Sequence, residues 1–91
     1  MNSDKTEQTQ AQQLKAQQIF QALGGAPNVR AVEPCITRLR VPVDDPQRID
    51  EGALRAAGAL GVVVSGRIIQ VIVGPEADDL AAVMNTLVAA G

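Results

Sequence analysis

Apolar positions along the chain change period several times, and each change marks an element. Ala16, Ile19, Phe20 and Leu23 recur at i, i+3, i+4 and i+7, the spacing of one helix face. Gly24-Gly25 supplies a left-handed stop, and Pro27 lies just beyond it. Ahead of this helix, residues 1–10 are polar and aperiodic, which predicts a disordered tail. Residues 29–33 form a short strand candidate. Residues 36–43 then alternate, with Leu39, Val41 and Val43 on one side and Arg38 and Arg40 on the other. Pro34-Cys35 falls between the two strands, which puts the thiol at or near a hairpin tip. Pro42 removes a ladder donor, so the second strand ends near it or exposes it.

Further along, Asp44-Asp45-Pro46 reads as a turn. Asp50 is placed to cap a short helix through Ala57, with Leu54 as its apolar contact and Gly58 as its stop. Val62–Val64 and Arg67–Val73 are predicted strands of a tight hairpin that turns at Ser65-Gly66. Pro75 suits the first position of a last helix, and Glu76, Asp78 and Asp79 suit its positive end. Leu80, Val83, Met84, Leu87 and Val88 make the buried stripe of that helix.

The order is therefore α-β-β-α-β-β-α. Hairpin partners are antiparallel, and an antiparallel sheet throughout requires the fourth strand beside the second. The predicted fold is α+β: a two-layer sandwich with a four-stranded antiparallel sheet, order 1-2-4-3, and three helices on one face. The other face is open and shows Arg38, Arg40, Ile68, Gln70 and Ile72, a mixture suited to docking.

Composition narrows the chemistry. Ninety-one residues make one domain, able to bury roughly 60–65% of the surface of its unfolded chain. The apolar fraction of 46% is almost wholly aliphatic, with one Phe and no Trp or Tyr. Stacking platforms for bases are missing, and a net charge of −2 offers no polyanion footprint, which argues against nucleic acid. The absence of histidine excludes a histidine-dependent triad, and a single cysteine cannot make a structural zinc site. It cannot make an internal disulfide either, which fits a cytosolic setting. No run resembles a secretory signal or a membrane span.

The candidate chemistry lies in "EPCITRLRVPV", residues 33–43. A lone cysteine is most often a small buried hydrophobe, and arginine on a strand's outer face is most often just solvated. Here, however, the thiol sits at a turn with two guanidinium groups within five residues. Cationic neighbours favour the thiolate, which is the nucleophilic form. A guanidinium also presents a planar fork of donors to phosphoryl oxygens. The glycines at 24, 25, 58, 61, 66 and 74 read as stops and turns rather than phosphate cradles.

These residues carry a resemblance that covers residues 15–88. "ALGGAPNV", "CITRLRV", "VVVSG" and "IIQVIVGP" resemble, at matching spacing, the enzyme IIB (EIIB) domain of the phosphoenolpyruvate-dependent sugar phosphotransferase system, glucose family (type-1). On that resemblance residues 11–91 are one EIIB domain. It implies that Cys35 accepts a phosphoryl group from a histidine of a IIA protein. The group then passes to a sugar of the glucose or N-acetylglucosamine class held by the membrane transporter IIC. Arg38 and Arg40 match the arginines that bind the phosphoryl group. Thr37 matches a motif position able to donate a hydrogen bond to it, and Gln70 matches a glutamine beside the site. The resemblance implies a cytoplasmic monomer that meets the membrane through IIC and needs no cofactor. Ile36 resembles the glucose and N-acetylglucosamine branch. Two stretches depart from the family: Glu33-Pro34, where relatives often carry Asp or Asn and a small residue, and Arg67-Ile68, where they often carry small residues. The alternative is a non-catalytic α/β binding or regulatory module, which would want stacking aromatics or a basic Gly-x-x-Gly loop.

Overall fold

The computed structural model describes residues 3–91, with side chains described from residue 10 onward. Helix α1 spans Ser3–Ala22, followed by β1 (Glu33–Cys35), β2 (Arg38–Pro42), α2 (Glu51–Ala56), β3 (Gly61–Ser65), β4 (Ile68–Ile72) and α3 (Ala77–Ala90). Met1 and Asn2 of the segment expected as a polar tail lie outside the described residues; the backbone of α1 takes in the rest from Ser3. The sheet has four strands in the order β1-β2-β4-β3, and every described pairing is antiparallel. The predicted topology and strand order stand.

The core lies between the sheet and the helices. Ala16, Ile19, Phe20 and Leu23 of the first helix and its exit are buried, as are Leu54 of α2 and Leu80 and Met84 of α3. They meet Leu39 and Val41 of β2 and Ile69 and Val71 of β4, all fully buried. The alternation of β2 therefore resolves as read, with Arg38 and Arg40 exposed on the far face. Asp50 caps α2 by accepting from the Ala53 N–H, and Leu54 is that helix's buried residue.

Besides one-residue shifts at strand ends and a second strand that is Arg38–Pro42 rather than residues 36–43, with the turn at Ile36-Thr37 instead of Pro34-Cys35, three boundaries differ from expectation. The first strand is Glu33–Cys35 rather than residues 29–33. Val29 does pair with Val43, but as an isolated bridge. Between that bridge and the Glu33–Arg40 pair there are four steps on the first side against three on the second, a one-residue bulge. The amide of Asn85 on α3 satisfies the Val32 backbone groups that face away from β2. Its Oδ1 accepts from the Val32 N–H at 3.1 Å, and its Nδ2 donates to the Val32 carbonyl at 2.8 Å. A side chain thus takes the place of a neighbouring strand. The second difference is the β3–β4 turn, which is Gly66-Arg67, because Ser65 pairs with Ile68. Gly66 has φ +59° at the first central position, which glycine adopts without strain in a type II′ turn. Third, Pro75 precedes the last helix instead of opening it, and Glu76 is the N-cap residue.

One buried polar residue fastens the core to the loop after β2. Asn28 is fully buried, and its Nδ2 donates to the carbonyls of Leu23 at 2.8 Å and Asp45 at 3.0 Å. Its Oδ1 accepts from the Asp45 N–H at 2.8 Å. Gly24 has φ +105°, and a Cβ there would stand 2.7 Å from the Asn28 Cβ, so both backbone and side chain require glycine.

Candidate functional site

Cys35 ends β1 and is exposed. Its cross-strand partner is Arg38, so Ile36-Thr37 forms a two-residue turn between them. Ile36 carries φ +55°, the one positive φ among non-glycine residues described, and it is 85% exposed. For a β-branched residue that conformation is strained, at a cost of order 1–3 kcal/mol. The turn is held from behind: the Thr37 carbonyl accepts from the N–H groups of Val73 at 2.9 Å and Gly74 at 3.0 Å. Those bonds tie the thiol-bearing loop to the exit of the central strand β4.

The face of the sheet away from the helices follows from the register. Cys35, Arg38, Ile72 and Gly61 form one row across the four strands. Glu33, Arg40, Gln70 and Val63 form the next. Successive residues on a strand alternate faces, so both rows share one surface. The structure thus brings Cys35, Arg38, Arg40 and Gln70 together on that surface and puts Thr37 in the turn beside them. Ile68 and Ile72 lie on it too, half-buried between their neighbours.

Each guanidinium already has one partner. Arg38 Nη1 donates to Gln70 Oε1 at 3.0 Å, a diagonal contact from β2 to β4. Arg40 Nη1 donates to Glu33 Oε2 at 3.0 Å, directly across the β1–β2 ladder. Both groups are exposed enough to present further donors: a guanidinium has five N–H bonds in a fixed fork. The surface can therefore collect an anion of several oxygens over the thiol. Glu33 was visible in the sequence only as a departure from the family pattern. Its position two residues before Cys35 was the available signal, since i and i+2 on a strand share a face.

At the same end of the sheet lies exposed apolar surface. Ile36 is joined by Leu60, 71% exposed, whose N–H donates to the Ile72 carbonyl at 2.7 Å. Leu60 thereby lies one residue beyond the Gly61–Ile72 pair, at the β3 edge of the sheet. Among the described residues no helix is long and apolar enough to cross a membrane.

Comparison with known proteins accords with this arrangement. The family model of the phosphotransferase system, EIIB, matches residues 17–50, which include the thiol and both arginines. An N-acetylglucosamine-specific EIIB component of the phosphotransferase system from Streptomyces coelicolor is 53% identical over 68 residues, covering 75% of this chain and 88% of that protein. The crystal structure of one domain of the phosphotransferase system IIabc component from Clostridium difficile has the same fold, with a TM-score of 0.76. That similarity covers 87% of this chain and 84% of that one at 22% identity. The chain belongs to the EIIB family of the sugar phosphotransferase system.

Proposed function

We propose that the protein is a phosphocysteine carrier. The observation that carries this reading is the cross-strand pairing of an exposed Cys35 with Arg38, with Arg40 next on the same face. The Cys35 sulfur attacks the phosphorus of a phosphohistidine on a IIA protein. An S–P bond forms, the P–N bond breaks, and the imidazole leaves with the thiol's proton. In the second step a sugar hydroxyl held by IIC attacks the same phosphorus. An O–P bond forms, the P–S bond breaks, and the thiolate regained takes up the hydroxyl proton, directly or through water.

Arg38 and Arg40 grip the phosphoryl oxygens in transit, where oriented cations stabilise the charge spread over a loose transition state. Gln70 orients Arg38, and the Thr37 hydroxyl donates to a phosphoryl oxygen. The sugar is assigned to the glucose and N-acetylglucosamine class, with N-acetylglucosamine favoured by the Streptomyces coelicolor relative. The protein acts as a monomer at the cytoplasmic side of the membrane, and the transfer calls for no cofactor.

The test is mass spectrometry after incubation with phosphoenolpyruvate, the general phosphotransferase components and a IIA protein. One phosphoryl group on Cys35 is the expected result. An unmodified Cys35 under conditions that load IIA would overturn the reading in favour of a non-catalytic module.

A further inference from the structure

Among the described residues Glu33 is the one anionic side chain bonded to the cluster that surrounds the thiol, and its position is set by the ladder. It precedes Cys35 by two residues on β1, so both side chains leave the same face with Cα atoms about 7 Å apart. Arg40 stands directly opposite Glu33 and diagonal to Cys35. Directly opposed and diagonal neighbours on one face lie within about 8 Å at Cβ, inside the sweep of an arginine side chain. Arg40 can therefore reach either the Glu33 carboxylate or a group carried on the Cys35 sulfur. In the structure it donates to Glu33 at 3.0 Å. Arg38, by contrast, is bonded to a neutral amide.

We infer that Glu33 is a positioning residue that sets the phosphoryl-transfer potential of Cys35 by competing for Arg40. This rests on the carrier reading given above. In the unloaded protein the carboxylate holds Arg40 over the face and stabilises that state. When a phosphoryl dianion arrives on the sulfur, Arg40 is shared between the two anions, and whichever loses it is left less well compensated. The pair thus favours the unloaded form over the loaded one, which makes phosphocysteine a better donor. No bond beyond the S–P bond of the carrier reaction is made or broken. Both side chains are about half exposed, 47% for Arg40 and 54% for Glu33, so the competition takes place in a well-screened setting. Exposed ion pairs of this kind shift equilibria by roughly two- to five-fold.

The experiment is an exchange equilibrium. The full chain and a IIA protein are mixed with a limiting amount of phosphoryl donor, and phosphocysteine and phosphohistidine are quantified by phosphorus NMR. Glu33→Gln keeps an acceptor and removes the charge. It is expected to move the equilibrium toward phosphocysteine by roughly two- to five-fold, with Glu33→Asp remaining near the wild-type value. In an Arg40→Gln background the effect of Glu33→Gln should shrink by at least half. Wild-type phosphocysteine with an unmoved equilibrium in Glu33→Gln would overturn the role of Glu33 and leave the carrier reading standing. An effect undiminished in the Arg40→Gln background would overturn competition for Arg40. Failure of the wild-type protein to load at all would refute the carrier reading itself, a separate result.

Discussion

Arg38 and Gln70 meet across the central pair of strands, guanidinium Nη1 to amide Oε1 at 3.0 Å, although 32 positions separate them in sequence. The contact uses one donor of five and leaves the rest of the fork free. A lysine at position 38 or 40 keeps the charge but loses the fork. If the arginines grip the phosphoryl group in transit, Arg38→Lys and Arg40→Lys should each slow transfer to sugar roughly 10²–10³-fold, as loss of other transition-state donors does. Acceptance from IIA should suffer less, because the donor protein can supply groups of its own. Both half-reactions are measured in each variant. Wild-type onward transfer in both would reduce the arginines to solvated charges.

Cys35→Ser should abolish phosphoryl acceptance while leaving the fold intact. The side chain is exposed, and serine is nearly isosteric but un-ionised at neutral pH. Mass spectrometry checks the first point and thermal melting the second. Full labelling of the serine variant would remove Cys35 from the assignment.

Docking of IIA is expected on the open face and its rim, through Ile36, Leu60, Ile68 and Ile72. Ile36→Gly separates docking from folding. Glycine removes the strain of φ +55°, so thermal stability should hold or rise by about 1 kcal/mol, less the entropy that glycine adds to the unfolded chain. Affinity for IIA should fall, since an apolar contact is lost. A chemical-shift titration in which only helix residues move would contradict this docking site.

Asn28→Ala should destabilise the protein by about 2–4 kcal/mol. Three hydrogen bonds disappear, and the buried Leu23 carbonyl loses a donor. Denaturant unfolding measures the change, and the exposed site residues should keep their chemistry at low temperature. A loss under 1 kcal/mol would mean that water replaces the amide.

Acid should expose the tie between α1 and α3. Lys15 Nζ donates to Glu76 Oε2 at 2.8 Å, and that hydrogen bond holds the Glu76 carboxyl below its ordinary value of 4.5. Because the folded-state value is the lower one, the pair's contribution is fully present above about pH 4.5 and is lost as pH falls through the folded-state value. The bond is partly exposed, so the contribution is at most about 1 kcal/mol. Lys15→Met should flatten stability against pH in that acidic window and leave the neutral-pH slope unchanged. An identical acid profile in the variant would show that other carboxylates govern it.

Most of the fold was legible because period and punctuation agreed. The helix stripes, the alternation of β2 and the Asp50 cap each rest on contacts within one element. Hairpin logic then forced the strand order. What failed involved long-range partners. Nothing local marks the one-residue bulge between the Val29–Val43 bridge and the Glu33–Arg40 pair, nor Asn85 as the residue that satisfies the Val32 backbone. Likewise a turn at Gly66-Arg67 and one at Ser65-Gly66 differ by a single register step that only pairing with β4 decides. For the site, the sequence named the thiol, the arginines and Gln70, since they share one motif pattern. It did not pair them. That Gln70 serves Arg38 while Glu33 serves Arg40 depends on which strand lies between which.

Pro34 has a consequence for colloidal behaviour. β1 is an edge strand of three residues, and Pro34 is its middle one. Cys35 and Arg38 flank a two-residue turn and bond to each other, so the intervening Pro34 directs its backbone nitrogen away from β2. That nitrogen carries no hydrogen. The outer rim next to the thiol therefore lacks the donor that an incoming strand would need, and a second chain cannot extend the sheet there by main-chain pairing. The exposed thiol and its apolar neighbours thus adjoin a rim protected from edge-to-edge polymerisation.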